Sequence, residues 1–381
     1  MSLRKKIGIL GAGQLGKMLA IEGANWHLDL EALDSSSNSP AAHLVHKMTE
    51  GHFNDYQAVL DFGADKDIIT IEIEHVNTDA LRVLKQQGKT VIPDPDVLDI
   101  IKDKGRQKEF YKQHDLPTSP FALYNDKAEV LAAVENGTWI APFVQKSRTA
   151  GYDGKGVVII KSNNELHKLV DGPCVIEEAV DIDKELAVIA VANKMGELKI
   201  FPVVEMLFNP EANLVENLFC PARIDDTTRK AAETLAISTM QAYGLQGLLA
   251  IEMFLSKDGE VLINEVAPRP HNSGHHTIEA CVSSQYQQHL RALLNLPLGD
   301  TSLRSPAMMI NLLGHPDHQG PAMYSGIEEV LKISNVFVHI YGKETTKPFR
   351  KMGHITILGD DFEAMNTKAN QIRQTLKVIS S

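Results

Sequence analysis

The chain opens with a short apolar run at residues 6–10, breaks at the turn Gly11-Ala12-Gly13-Gln14-Leu15-Gly16, and continues into a helix-favouring stretch at 17–23. Further apolar runs at 28–33 and 68–73, separated by helical or loop segments, make this a pattern of parallel βαβ units. A Pro-rich passage at 93–95 and a charged helix over 96–113 lead to Leu116-Pro117-Thr118-Ser119-Pro120, where a first boundary is expected. Beyond it the pattern changes to paired short strands, 142–147 with 157–161, 186–192 with 198–204, and 248–255 with 260–266. Amphipathic helices are expected at 227–243 and 278–296. The tail alternates strands at 307–312, 336–341 and 354–358 with a last helix at 361–377, and reads as a small closing domain. The expected fold is α/β and α+β in three parts: a parallel-sheet domain at 1–100, a central domain at 101–305 containing a smaller module at about 118–178, and a C-terminal domain at 306–381.

Composition narrows the function classes. The 381 residues, 43% of them hydrophobic, suffice for roughly two to three cored domains. The net charge of −11 and the lack of any long basic run argue against a nucleic-acid partner, although a few placed cations or backbone amides can still hold a small anion. No apolar stretch approaches the roughly 18 residues of a membrane span, and no signal-peptide cleavage site follows the first residues. Cys174, Cys220 and Cys281 are odd in number and far apart, so a disulfide framework is not expected and a reducing, cytoplasmic setting is.

Several clusters carry chemistry. The glycine turn fits G-x-G-x-x-G, and Asp34 ends the second strand where a dinucleotide fold keeps its ribose-binding acid; equally, such a turn lets a helix pack close to a strand. Asp258-Gly259 signals a two-residue hairpin turn, which sets Glu252 opposite Glu265. Two carboxylates facing each other among apolar neighbours repel unless a cation lies between them, and oxygen ligands with Asn264 alongside suit Mg²⁺, with Mn²⁺ as the alternative. Otherwise one acid is protonated or solvated, or a longer loop breaks the register. Lys146, Arg148 and the loop Gly151-Tyr152-Asp153-Gly154-Lys155-Gly156 form either a phosphate cover or a pliant hairpin tip. Glu177-Glu178-Ala179-Val180, with Glu185, can offer a strand edge to a purine and a carboxylate to a ribose, or be a solvated strand end. The residues around His271, His275 and His276 are too rich in Pro, Asn, Ser and Gly for a helical zinc pair, whereas Arg269 suits an oxyanion. Lys343, Arg350, Lys351 and His354 form a late basic group that can hold a phosphate or simply be solvated.

Taken in order, the lysines, the 151–156 loop, the 177–185 segment and Glu252/Glu265 resemble the ATP-grasp superfamily. Within it, Gly11 to Gly16, Glu72-Ile73-Glu74-His75, Lys146-Ser147-Arg148 and the run from Asn264 to His275 look like the N5-carboxyaminoimidazole ribonucleotide synthetase family, the ATPase subunit of phosphoribosylaminoimidazole carboxylase. The resemblance implies a three-domain ATP-grasp ligase of purine biosynthesis with a pre-ATP-grasp N-terminal domain, using ATP, bicarbonate and 5-aminoimidazole ribonucleotide, and a homodimeric state. It implies ATP contacts from Lys104, Lys146, residues 151–156, Glu177 to Val180, Glu185, Asn264 and Glu265, and metal ligation by Glu252 and Glu265. It assigns Gln14, Glu74, Tyr152, Asp153, Arg269, His271, Asn272, Lys343 and Arg350 to the ribonucleotide, and catalytic roles to Arg269, Lys146 and Asp153. Lys104 stands where the family commonly has Arg, and Phe208 where relatives often carry His, so Phe208 is given no role.

Overall fold

The opening run is the central strand of a five-stranded parallel sheet with strand order Lys47–Glu50, Asp29–Asp34, Lys6–Leu10, Ile68–Ile71, Thr90–Val91. The computed structural model describes residues 5–149, 156–209 and 214–381. Lys47–Glu50 has no apolar alternation because it is an exposed edge, and it is missing from the sequence-based expectation. The buried strand at 68 ends at Ile71, two residues early, and so turns Glu72 toward the glycine turn. One face of this sheet packs on the helices Tyr56–Gly63 and Thr78–Gln86. The other packs on Gln14–Asn25 and on Gln285–Leu293, a helix from much later in the chain.

Two expected helices are each divided. The charged helix becomes Pro95–Ile101 and Lys104–Gln113, because Asp103 takes an extended backbone and caps the second with bonds from the amides of Gly105 and Arg106. The 278–296 helix becomes Thr277–Ala280 and Gln285–Leu293, the latter capped by Ser284. The helix at 227–243 forms as Asp226–Tyr243 and stops at Gly244 in the left-handed conformation.

The module expected at 118–178 contains a four-stranded antiparallel sheet, ordered Phe121–Tyr124, Cys174–Glu178, Phe143–Ser147, Val157–Ile160. Nine further strands join into a sheet running from Val261–Ala267 through Gly247–Ser256, Ile182–Ala192, Val204–Asn209 and Leu214–Cys220 to Ala307–Leu313, Lys351–Leu358 and Val336–Ile340, with Leu198–Ile200 paired beside Ile182–Ala192, while Thr345–Thr346, Gly320–Ser325 and Lys377–Ser380 form a three-stranded sheet of their own. The three tail strands anticipated from the sequence therefore extend the central sheet, because Ala307–Leu313 bonds directly to Leu214–Cys220. They also support their own core against the helix Phe362–Thr375. No helix among the described residues is long and apolar enough to cross a membrane. The three cysteines are free and buried.

Candidate active site

The hairpin of Gly247–Ser256 and Val261–Ala267 holds Glu252 opposite Glu265, though not by the two-residue turn the sequence suggested. The loop is one residue longer: the amide of Ser256 bonds the carbonyl of Glu260, and Gly259 adopts φ +85°. A bulge at Asn264 absorbs the extra residue, so pairing returns to the expected register at Glu252. The bulge also breaks the alternation of faces. Ile263 and Val266 both enter the core under the helix Asp226–Tyr243, leaving Asn264 and Glu265 together on the other side.

Directly opposed residues of adjacent strands share a face. Ala187 stands opposite Glu252, and Glu185 lies two positions along the same strand, so Glu185, Glu252 and Glu265 form one acidic face. Burial first, then the charge of Glu265, raises the Glu252 carboxyl, and Lys104 holds Glu265 low. Burial pushes Glu185 up to about 7. Burial and mutual repulsion thus push two of these carboxyls toward the neutral form, and a divalent cation among such oxygen donors would favour their ionised forms.

A cavity of about 510 Å³ lies over this face. Glu252, Glu265 and Lys104 line it, as do Gln14 and Glu74 from the first domain, and Arg269, His271 and Asn272 after the hairpin. Arg269 Nε lies 2.8 Å from Glu74 Oε1, His271 Nε2 lies 3.6 Å from Glu252 Oε1, and Lys104 Nζ bonds Glu265 Oε2. Asn272 donates to Asn311 Oδ1 at 2.9 Å, tying the site to the tail strand Ala307–Leu313. Met206, Phe208 and Val215 give the cavity an apolar strip. The hairpin strands carrying them were not anticipated as a pair, and only the sheet shows that Phe208 faces the cavity.

Other expected residues stand apart from this lining. Lys146 lies behind it, donating to Asn264 Oδ1 at 2.8 Å. Glu177 departs from the adenine role: its backbone pairs with strands on both sides, and its carboxylate is buried between Lys108 and Lys146. Glu178 ends that strand, with Ala179 and Val180 just beyond. Lys343 donates to the Lys351 carbonyl and Arg350 to Thr345, while Lys351 is the basic residue of that group at the cavity. Gly151, Tyr152, Asp153, Gly154 and Lys155 lie outside the described residues; Gly156 is described, and its carbonyl accepts from the Ser147 amide at 2.8 Å.

The glycine turn has a different purpose from the one its spacing first suggested. Glu72 Oε1 accepts from the amide of Gly13, and Oε2 from that of Gly16 at 2.5 Å, so a carboxylate of the chain itself occupies the helix N-terminus. Asp34 is bonded to the Ala12 amide at 2.7 Å. A side chain at Gly11 or Gly13 would collide with Glu72. The donors and the acid that a dinucleotide needs are thus already taken, which removes the basis for an NAD-dependent oxidoreductase.

Residues 4–102 match the ribonucleotide synthetase preATP-grasp domain, 109–286 the ATP-grasp domain, and 307–368 the phosphoribosylaminoimidazole carboxylase C-terminal domain. The chain is similar to the N5-carboxyaminoimidazole ribonucleotide synthase of Bacillus subtilis, 36% identical over 357 residues covering 92% of this chain and 91% of that protein. Its fold is similar to N5-carboxyaminoimidazole ribonucleotide synthetase from Thermotoga maritima, with TM-score 0.90, 41% identity and coverage of 99% and 100% of the two chains. It is also similar to the Aspergillus clavatus N5-carboxyaminoimidazole synthase in complex with ADP and 5-aminoimidazole ribonucleotide, with TM-score 0.88, 31% identity and coverage of 98% and 99%.

Proposed function

The chain belongs to the N5-carboxyaminoimidazole ribonucleotide synthase family, and from that premise we propose that it uses ATP and bicarbonate to carboxylate the exocyclic amine of 5-aminoimidazole ribonucleotide. The products are N5-carboxyaminoimidazole ribonucleotide, ADP and phosphate, a step of de novo purine synthesis. The observation that carries this is the meeting, in one cavity, of the Glu252/Glu265 acidic face with Lys104 and with the Glu74–Arg269 pair.

A bicarbonate oxygen attacks the γ-phosphorus of ATP, the bond to the β,γ-bridging oxygen breaks, and ADP leaves carboxyphosphate. The amine then bonds to the carboxyl carbon, either of carboxyphosphate or of CO₂ released from it; phosphate departs and the amine loses a proton. Phosphoryl transfer of this kind depends on positioning and charge neutralisation. Lys104 and Lys146 supply positive charge for the phosphates, and Arg269, paired with Glu74, is assigned to the bicarbonate oxyanion. Glu252 and Glu265, with Asn264 beside them, fit Mg²⁺ or Mn²⁺, which when bound neutralises charge on the transferring phosphoryl oxygens. Glu185 and the Glu178 to Val180 segment are assigned to the nucleoside, the 151–156 loop to covering the phosphates, and Tyr152, Asp153, Lys343 and Arg350 to the ribonucleotide. A cytoplasmic homodimer completes the proposal.

ADP release measured with 5-aminoimidazole ribonucleotide plus bicarbonate, beside glycinamide ribonucleotide plus formate, tests it. Stimulation by the first pair alone is expected. Stimulation by the second would make the chain a different ATP-grasp ligase, and none by either would make it a non-catalytic nucleotide sensor.

A further inference from the structure

Lys108, on the helix Lys104–Gln113, is 2% exposed, as is Glu177. Its Nζ donates to Thr118 Oγ1 at 2.6 Å and lies 3.1 Å from Glu177 Oε2. Thr118 Oγ1 in turn donates to the carbonyl of Ile263, the residue before the Asn264 bulge, at 2.8 Å. On the other side of Glu177, Lys146 Nζ lies 3.2 Å from Oε1 while its hydrogen bond goes to Asn264 Oδ1. The result is a closed circuit, Lys108, Glu177, Lys146, Asn264, Ile263 and Thr118, linking the four-stranded sheet to the strand that carries Glu265. It contains one carboxylate and two ammonium groups.

The unequal count is informative. A buried carboxylate needs one partner, and losing its only partner leaves an uncompensated charge that is costly in a dry interior. If Lys146 were the sole partner of Glu177, turning its ammonium toward a phosphate would strand that carboxylate. We propose that Lys108 is a positioning residue of the nucleotide site: it keeps Glu177 compensated and so frees Lys146 to serve the phosphates of ATP. This rests on the proposed phosphate role of Lys146. Burial pushes the Lys108 ammonium down to about 8, and the Glu177 carboxylate beside it acts against that.

The test is steady-state ADP release by the full chain with 5-aminoimidazole ribonucleotide and bicarbonate, comparing Lys108→Met, Lys108→Met/Glu177→Gln and Lys146→Met. For Lys108→Met the KM for ATP should rise about tenfold or more, the scale of one hydrogen bond to a charged group, while the KM for the ribonucleotide stays within about twofold. Removing the carboxylate as well should return the KM for ATP to within about threefold of the parent, a non-additive recovery that a packing role of Lys108 would not produce. An unchanged KM for ATP in Lys108→Met, beside a raised one in Lys146→Met, overturns the inference alone. An unaffected KM for ATP in Lys146→Met overturns the phosphate role of Lys146 and the inference with it. Should Lys108→Met fail to fold, the double variant decides: near-parental KM for ATP supports the inference, and a loss of about tenfold overturns it.

Discussion

Arg148 lays its guanidinium across the carboxylate of Asp103, with Nε 2.9 Å from Oδ1 and Nη2 2.6 Å from Oδ2, while the Arg148 carbonyl accepts from the Lys104 amide at 2.9 Å. The end of the strand Phe143–Ser147 is thereby fastened to the cap of the helix that begins with Lys104.

Arg148→Lys keeps the charge but loses the planar two-pronged contact. Thermal denaturation should show a loss of about 1 kcal/mol, and the KM for ATP should rise several-fold as Lys104 loses its anchor. Unchanged values for both would show that the pair fastens nothing.

Glu265→Gln removes the charge that opposes Glu252 and pairs with Lys104. Turnover at saturating Mg²⁺ should fall about a hundredfold or more, the scale of losing one electrostatic group at a transferring phosphoryl, with circular dichroism unchanged. Parental turnover would defeat the metal assignment.

The Glu185 carboxyl, raised by burial to about 7 from 4.5, is protonated in the folded chain over a range where the unfolded chain is ionised. A raised carboxyl adds stability in full below its unfolded value, and that contribution is lost as pH rises through the folded value. Without nucleotide, stability should therefore drop by of order 1–3 kcal/mol between about pH 5 and pH 8, and Glu185→Gln should flatten the drop. Denaturant titrations across that range read it directly; a parallel drop in the variant assigns the pH dependence to other groups.

Gly13→Ala places a methyl group against Glu72 Oε1 and must displace the carboxylate from the helix N-terminus. A destabilisation of about 2–4 kcal/mol is expected from the lost hydrogen bonds and the crowding. Titration of the parent chain with NADH should show no saturable binding; saturable binding would restore the dinucleotide alternative.

The linear order of residues was enough to reveal the parallel N-terminal units, the hairpin containing Glu252 and Glu265, and the resemblance itself, because each rests on local periodicity or on motif spacing. The Glu252–Glu265 pairing came out as expected even though the turn did not, since the extra loop residue and the bulge at Asn264 offset each other. Which charges are shared was not legible. Glu177 read as a strand-end acid open to a purine, yet it is enclosed by Lys108 from a helix and Lys146 from a neighbouring strand. Glu72 likewise looked like part of a motif, and only the end of its strand at Ile71 brings its carboxylate onto the amides of Gly13 and Gly16. Periodicity specifies which way a side chain leaves its own strand or helix. What it meets there depends on elements distant in sequence, and a buried charge takes its role from that company.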